Sequence, residues 1–270
     1  MVKKYKEIAK SARSRLIKMH AASGASHIAS SLSVTDILVA LYFNILRVSP
    51  EKPKDKNRDR LILSKGHAAS ALFTCLAARG FFPQTLLEEY CIDGGRLPGH
   101  ASINCVPGLE VSTGSLGHGL SIGVGMALAA KYDREKYRVF VVLSDGECQE
   151  GAVWEAAMFA GHHKLDNIIA IIDYNKMQAL GKSKEILNLE PLAKKWQSFG
   201  WAVKETGGHD IEAIIKTLKK VPFAKNKPSV LIAHTTKGKG VSFMENKLLW
   251  HYKSPDREQA ESALGEIGCL

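Results

Sequence analysis

The chain has 270 residues, of which 45% are hydrophobic and 24% charged, and its formal net charge is +10. No uninterrupted apolar run approaches the ~18 residues that a membrane helix needs; the runs are short, such as 168–172. The charged start lacks an apolar segment and predicts no secretory signal. These features exclude the membrane, fibrous, disordered and secreted classes and leave a globular protein.

The positive charge is concentrated near the N-terminus. Residues 1–60 hold 13 Lys and Arg against 5 Asp and Glu, which is +8 of the total of +10. Nucleic-acid binding is one explanation, but no basic run with interleaved aromatic residues and no helix-turn-helix, zinc-finger or RNA-binding motif occurs. A solvated basic surface, or a funnel for small anionic substrates, explains the charge better.

The cysteines are dispersed and odd in number, and no pair has the spacing of a disulfide framework or a zinc site. This pattern predicts free thiols in a reducing cytoplasm. The five cysteines are Cys75, Cys91, Cys105, Cys148 and Cys269.

The first half of the chain is predicted to be mainly helical. Apolar residues recur at steps of three and four over 5–19, which indicates an amphipathic helix. A second, apolar helix is expected to run to about Leu46, with Ser33 or Thr35 as its N-cap. The other predicted elements are a loop over 49–60, a strand over 61–63, helices over 67–79 and 84–91, a glycine-rich loop from residue 96, and a small-residue helix over 121–131.

Strands and helices alternate in the second half of the chain. Predicted strands are 139–143, 168–172, 201–204 and 229–233, and predicted helices between them are 150–164, 189–199 and 211–221. Such alternation is typical of βαβ units. We therefore expect an α/β fold with a mostly parallel sheet, helices on both faces and a helical N-terminal section, formed as one domain over 1–270.

Polar residues follow two consecutive predicted strands. Asp145-Gly146 comes after the first, and Asn175 follows the next, 30 residues later. Because ligands bind beyond the carboxyl ends of parallel strands, both side chains are expected at one sheet edge. Carboxylate and amide oxygens suit Mg²⁺ or Ca²⁺, and a diphosphate held through such a metal fits this arrangement. Taken singly, each residue is also common as a turn or cap residue.

Four histidines lie in glycine- or serine-rich turns, which suggests polar groups offered to a ligand. Their spacing is not that of metal ligands. They are His27, His67, His100 and His118. The pair His162-His163 is predicted to lie on a helix and to be structural.

Six segments, in order over about residues 26–251, resemble the N-terminal half of a transketolase. They are Ser26-His27 with Ser30-Ser31-Leu32-Ser33; Leu63-Ser64-Lys65-Gly66-His67; Pro98-Gly99-His100; Thr113-Gly114-Ser115-Leu116-Gly117-His118-Gly119; Ser144-Asp145-Gly146 with Asn175; and Lys237-Gly238-Lys239-Gly240-Val241 with Trp250-His251. One such motif is weak support, but six in family order are specific.

The resemblance implies the diphosphate-binding domain of the thiamine-diphosphate fold, with thiamine diphosphate and Mg²⁺ (or Ca²⁺) as cofactors. In the family's pattern, Asp145, Asn175 and the backbone carbonyl at Met177 ligate the metal. Gly146 matches a residue whose backbone lets the diphosphate approach.

The resemblance also implies catalytic histidines. His67 and His251 match histidines near the diphosphate and the reacting centre, and so count as cofactor-binding as well. His27 and His100 match histidines that line the substrate channel and contact substrate hydroxyls.

Three further matches concern the cofactor site, and two departures stand beside them. Gly114 and Leu116 match residues at the pyrimidine end of the cofactor, and Glu150 a glutamate at the subunit interface near the partner's active site. Ser144 replaces the family's usual glycine, which leaves the metal ligand intact. The segment 26–29 reads Ser-His-Ile-Ala where the family has Gly-His-Pro-Gly, so substrate identity is more open than cofactor binding.

The family's pyrimidine-binding and C-terminal domains have no counterpart here, because the 19 residues after His251 cannot bury a core. We therefore expect one subunit of a split transketolase, cytoplasmic and active only with a second chain, in a heterotetramer of two of each. It would transfer a two-carbon ketol group between sugar phosphates, or act on an unusual branched or sulfonated sugar. A non-catalytic cofactor-binding or regulatory module remains a further alternative. No nucleic acid or membrane partner is expected.

Overall fold

A computed structural model describes residues 2–268. The helices are α1 (Val2–Ser23), α2 (Ile28–Ala40), α3 (Ala69–Arg79), α4 (His118–Tyr132), α5 (Gly151–His162), α6 (Ser183–Ile186), α7 (Leu192–Ser198), α8 (Ile211–Leu218) and α9 (Arg257–Ile267). The strands are β1 (Arg60–Leu63), β2 (Val139–Ser144), β3 (Ile168–Tyr174), β4 (Met177–Gln178), β5 (Gly181–Lys182), β6 (Ala202–Gly207) and β7 (Ser229–His234). Short 3₁₀ turns occupy Gly66–Ala68, Gln84–Glu89, Gly146–Gln149 and Leu248–His251, and a π-helical turn, Leu41–Ile45, continues α2.

Five strands form one parallel sheet in the order β1-β2-β3-β7-β6, and β4 and β5 form a small antiparallel hairpin beyond its edge. Alternate side chains of each strand point to opposite faces. Phe140 and Val142 pack with α1, α2, α3, α8 and α9 on one face, while Val139, Val141 and Leu143 pack with α4, α5 and α7 on the other. The predicted α/β class, with helices on both faces and a helical N-terminal section, is confirmed.

Helix α2 begins earlier than predicted, and neither proposed N-cap residue caps it. The helix starts at Ile28 after His27, whose backbone is left-handed with φ 74° and ψ 15°. Ser33 and Thr35 lie buried inside the helix. Ser33 Oγ donates to Asp173 Oδ1 at 2.7 Å, and Thr35 Oγ1 donates to Ser31 O. Inside the helix the Thr35 hydroxyl is thus satisfied by the preceding turn, and the Ser33 hydroxyl by a distant carboxylate that local sequence preference does not reveal.

The segment Ile28–Ile45 also corrects the expectation about long apolar runs. Over 18 residues its mean hydropathy is 1.6, enough by length and composition to cross a membrane. In the structure 89% of it is buried between the sheet and the neighbouring helices. Burial on all sides accounts for the apolar composition, so this is the central helix of the fold.

Two other elements differ in detail. The predicted helix over 84–91 is a 3₁₀ segment, Gln84–Glu89. The small-residue helix begins at His118, three residues early, and its glycines allow close packing. A Cβ at Gly123 would lie 2.6 Å from Val141 Cγ2 on β2.

The thiols that the structure describes, Cys75, Cys91, Cys105 and Cys148, are free, as predicted; Cys269 lies outside the described residues.

His20, on α1, gives the fold a dependence on pH. It is fully buried, with Nδ1 2.9 Å from Ala25 O and Nε2 2.9 Å from Ser70 Oγ. Burial lowers the pKa of His20 to about 4, against a smaller opposing effect of the Ala25 bond. Between pH 6.5 and pH 4 the unfolded chain binds a proton here that the folded chain does not. The free energy of unfolding should therefore decrease as the pH is lowered across this window. This residue should contribute up to about 1.4 kcal/mol per pH unit to the decrease.

The measurement is urea denaturation of the full chain from pH 8 to pH 4. His20→Gln should have a flatter acid slope, and His162→Gln, at an exposed position on α5, should keep the original slope. An acid slope that is the same in His20→Gln as in the original chain would contradict this account.

Candidate functional site

A cavity of about 400 Å³ lies beyond the carboxyl ends of β1, β2, β3 and β7, where parallel sheets bind ligands. Ten of the eleven predicted site residues line it: His27, His67, His100, Gly114, Leu116, Gly146, Glu150, Asn175, Met177 and His251. The eleventh, Asp145, is fully buried in the turn that follows β2. The structure therefore brings the whole predicted set together, although the chemical role of each member stays a prediction.

Asp145 is a buried carboxylate with an incomplete set of partners. Oδ2 accepts a hydrogen bond from Ser183 Oγ at 2.6 Å, but Oδ1 has no hydrogen-bond partner. Burial raises the pKa of Asp145 to about 6; the Ser183 bond opposes this and the nearby Asp173 carboxylate adds to it. A buried oxygen without a partner is costly, and a cation would remove the cost.

Asn175 supplies a second hard oxygen at the same edge. Strands β2 and β3 pair in parallel with Ser144 opposite Asp173, so the residues after each strand lie side by side, as predicted. Asn175 Oδ1 accepts from the Met177 N–H at 3.1 Å and retains a lone pair. Over residues 2–268 no cluster of three or more His, Cys, Asp and Glu side chains is arranged to hold a metal. A cation here would therefore need the amide oxygen, a backbone carbonyl and oxygens of a ligand beside Asp145, a set that suits Mg²⁺.

Three imidazoles form a contiguous cluster and a fourth borders it. Ring centroids are 4.9 Å apart for His27 and His251, 5.2 Å for His27 and His67, and 5.9 Å for His27 and His100. Burial lowers the pKa of His27 to about 4 and that of His251 to about 3, and it lowers the pKa of His67 well below 6.5. These three rings are neutral at pH 7, so each offers one donor and one acceptor to a ligand.

The other histidines differ in position. His100 is exposed at the rim of the cavity. His118, which the turn pattern grouped with the first three, is exposed at the start of α4 and does not line the cavity. His162 lies at the end of α5 and His163 directly after it, and both are exposed, away from the cavity.

The loop that carries Gly114 and Leu116 is fastened to the Asp145 turn by Glu147, which sequence reasoning did not identify. Glu147 is fully buried and accepts from Gly117 N–H at 2.8 Å and from Ser64 Oγ. Burial raises the pKa of Glu147, opposed by these hydrogen bonds. The carboxylate thus joins three segments that border the cavity.

Gly146 is required by packing within the chain as well as by the predicted ligand contact. A Cβ at this position would lie 2.7 Å from Gln178 Cβ, on the β4–β5 hairpin. The glycine therefore lets the hairpin close against the turn after β2, and its backbone remains at the cavity wall.

Two lysines of the cavity wall were quoted in the motifs without a role. Lys65 is fully buried, with Nζ 2.6 Å from Asp173 Oδ2 and 3.2 Å from Ser30 O. Lys237 Nζ lies 2.9 Å from His251 Nδ1. Burial lowers the pKa of Lys237 to about 8, and the Lys65 charge adds to this. Both follow strands of the sheet, so the rule that ligands bind beyond the carboxyl ends of parallel strands also points to these two lysines.

The positive charge at the cavity does not come from the basic N-terminal segment, contrary to the expectation from the sequence. No Lys or Arg among the described residues of 1–60 lines this cavity. Several basic residues of that segment make structural ion pairs: Arg13 with Asp36, Arg47 with Asp59, and Arg58 with Glu110. The expected funnel from the N-terminal charge is therefore not formed at this cavity, and the cations that border it come from Lys65 and Lys237.

The two departures from the family pattern have structural explanations. Ser144 completes the turn: its Oγ accepts from the Glu147 N–H at 3.1 Å, while Asp145 keeps its place. Ile28 and Ala29 form the first turn of α2 and are fully buried, so only His27 of the altered segment faces the cavity. The changed residues therefore do not contact a ligand directly.

Comparison with known proteins agrees with this geometry. Residues 5–264 match the family model described as transketolase, thiamine diphosphate binding domain. The chain is 47% identical to an apulose-4-phosphate transketolase subunit of Phocaeicola vulgatus, over 94% of this chain and 90% of that one. It is 43% identical to the 6-deoxy-6-sulfo-D-fructose transketolase subunit SqwG of a Clostridium species, over 90% and 89%.

The fold is also that of a solved transketolase. The crystal structure of the enzyme from Campylobacter jejuni superposes with a TM-score of 0.93 at 30% identity, covering 99% of this chain and 43% of that one. The present chain thus spans about two fifths of that protein. It belongs to the transketolase family and corresponds to its thiamine diphosphate binding domain.

Proposed function

We propose that this chain is the diphosphate-binding subunit of a split transketolase, which transfers a two-carbon ketol group from a ketose phosphate to an aldose phosphate. The observation that carries the proposal is the cavity, where neutral imidazoles and two lysines surround a turn whose buried carboxylate has one oxygen without a hydrogen-bond partner. Each relative named as a subunit is nine-tenths covered by this chain, which supports the split form.

The cofactor set proposed is thiamine diphosphate with Mg²⁺ or Ca²⁺. When bound, thiamine diphosphate supplies the electron sink that ketol transfer needs. Asp145, Asn175 and the Met177 carbonyl would hold the cation, and Oδ1 of Asp145 would gain the partner that it lacks. Lys65 and Lys237 supply positive charge beside these ligands, which favours an anionic diphosphate.

The histidines are proposed to act on the sugar. Their neutral rings can donate to and accept from hydroxyl groups without placing a charge in the cavity. His251 is buried with Nδ1 2.9 Å from Lys237 Nζ, and the His67 ring lies 5.7 Å from the His251 ring; these two are assigned to the reacting end. His100 is exposed at the rim and its ring lies 5.9 Å from that of His27; these two are assigned to the sugar hydroxyls.

The assembly proposed is a heterotetramer of two copies each of this chain and a partner that supplies the pyrimidine-binding domain. Exposed apolar side chains on two helices that pack together support it: Ile122 and Tyr132 lie on α4, and Met158 and Phe159 lie on the adjoining α5. Helix α4 has no charged side chain between His118 and Lys131. Monomers rarely expose such a face. Glu150, at the start of α5, is assigned to the same contact.

The family match over 5–264 supports reading 1–270 as one diphosphate-binding domain. A cytoplasmic location is proposed as well, supported by the four free thiols.

A second candidate concerns the sugar. Two relatives carry the names of an apulose-4-phosphate and a sulfo-fructose enzyme, so a branched or sulfonated ketose is the alternative donor. Both candidates use the same cofactor site and differ only in the acyclic chain and its anionic end.

The test is ketol transfer with thiamine diphosphate and Mg²⁺, assayed with this chain alone, with the product of a neighbouring reading frame alone, and with both. The donors are fructose 6-phosphate, apulose 4-phosphate and 6-deoxy-6-sulfofructose. We expect turnover only when both chains are present, and the preferred donor decides between the two candidates. Robust turnover by this chain alone, or an absence of cofactor binding by the pair, would contradict the proposal.

A further inference from the structure

Lys237 sits on a loop whose backbone is fastened on both sides. Its side chain is 1% exposed, at the end of β7. Before it, the Thr235 N–H donates to Tyr174 O at 3.1 Å; after it, the Gly238 N–H donates to Ala29 O at 2.9 Å. The position of the ammonium group therefore depends on how this short backbone segment is held.

His209 holds the residue directly before Lys237, whose own carbonyl accepts from the Asn246 N–H at 2.9 Å. The Thr236 N–H donates to His209 Nε2 at 2.8 Å, and His209 Nδ1 lies 2.7 Å from Asp36 Oδ2. A backbone N–H can only donate, so Nε2 is the acceptor and the ring proton is on Nδ1, which donates to Asp36. The backbone bond thus determines the tautomer, and the carboxylate determines the ring orientation.

Asp36 is itself held rigidly. It is 4% exposed on α2, and Arg13 of α1 donates to both of its oxygens, with Nη1 3.1 Å from Oδ1 and Nη2 2.6 Å from Oδ2. Arg13 Nε also donates to Lys239 O at 3.1 Å. Helix α1 therefore holds the loop directly through Arg13, and helix α2 holds it through Asp36 and His209.

We propose that Asp36 and His209 are positioning residues: they fix the backbone at Thr236 and so place the Lys237 ammonium at the cavity wall. Neither residue lines the cavity. A role of the placed ammonium in catalysis rests on the proposed function. The position of the ammonium itself does not depend on that function. A purely structural role, in which the network only joins α1 and α2 to the sheet, predicts a different result in the test.

The test is competitive labelling of the full chain, without cofactor, by acetic anhydride, read out at each lysine by mass spectrometry. In His209→Ala the labelling rate of Lys237 should rise about fivefold, which corresponds to the loss of one hydrogen bond of about 1 kcal/mol. Lys65, fully buried on another loop of the same cavity, should keep its rate. Amide exchange over residues 235–240 should accelerate in parallel.

Two variants serve as controls. His209→Gln retains a donor and an acceptor and should restore part of the protection. His234→Ala removes an exposed histidine at the end of β7, which is bonded to Glu205, and should leave Lys237 unchanged. Equal rises at Lys65 and Lys237, or no rise at Lys237, would overturn the proposal. Because no ligand is present, either result is independent of whether the chain proves to be a transketolase subunit.

Discussion

Asp145→Asn should abolish metal-dependent thiamine diphosphate binding and at the same time stabilise the ligand-free chain. The buried Oδ1 of Asp145 has no partner, and burial raises the pKa of this carboxyl from 3.8 to about 6. A raised acid pKa means that folding disfavours the charged form. The contribution of Asp145 to the free energy of unfolding is therefore greatest below pH 3.8 and is lost as the pH rises through 6. The cost at neutral pH corresponds to about 3 kcal/mol, which the neutral amide should largely recover.

The measurement is calorimetric titration of the assembled enzyme with thiamine diphosphate and Mg²⁺, together with urea denaturation of this chain alone at pH 5 and pH 8. The stabilisation should be larger at pH 8 than at pH 5. Asp93→Asn, in an exposed loop, is the matched control and should change neither quantity. If Asp145→Asn still binds thiamine diphosphate tightly, or is less stable than the original chain, Asp145 is not a metal ligand whose free oxygen destabilises the ligand-free chain.

Lys65→Met should be among the most destabilising single substitutions in the chain, by about 3–5 kcal/mol. Lys65 and Asp173 are both fully buried, with 2.6 Å between Nζ and Oδ2. Removal of the lysine leaves the Asp173 carboxylate with hydroxyl donors only, from Ser33 and Thr235, in a region without solvent. A buried charge that loses its counter-ion retains its desolvation cost without the attraction that offset it.

The control is Lys182→Met. Lys182 and Glu185 form an exposed ion pair at 3.0 Å, and its loss should cost about 0.5 kcal/mol or less. The double variant Lys65→Met/Asp173→Asn should recover part of the lost stability, because the buried charge is then gone. Denaturation midpoints at constant m value provide the measurement. Equal losses in Lys65→Met and Lys182→Met would refute the argument.

The residues that sequence reasoning located correctly share a simple feature: they follow strands. Asp145 and Asn175 were predicted to be neighbours because consecutive parallel strands end at one edge, and β2 and β3 pair as expected. The histidines of four turns were predicted as ligand-facing groups, and three of them, His27, His67 and His100, line the cavity. His118 lies in the same kind of turn but points into solvent, because it opens a helix on the outer face.

The residues that sequence reasoning missed act through distant partners. Glu147 bonds to residues 83 and 30 positions before it, and Asp36 meets His209 across 173 positions of the chain. Lys65 reaches Asp173 across 108 positions. Periodicity and turn chemistry describe neighbours within a few residues, so they contain no information on which distant carboxylate a lysine will meet.

Length, the alternation of apolar strands with helices, and polar residues at strand ends were enough to establish the α/β class and the edge of the sheet where the site lies. These are short-range properties, and chain chirality converts them into a parallel sheet with little ambiguity. The start of α2 at Ile28, the burial of Ile28–Ile45 and the buried partners of Asp173, Glu147 and Asp36 depended on tertiary packing. Burial by distant parts of the chain makes an unpaired charge costly, and this cost selects these pairings. No local sequence pattern encodes it.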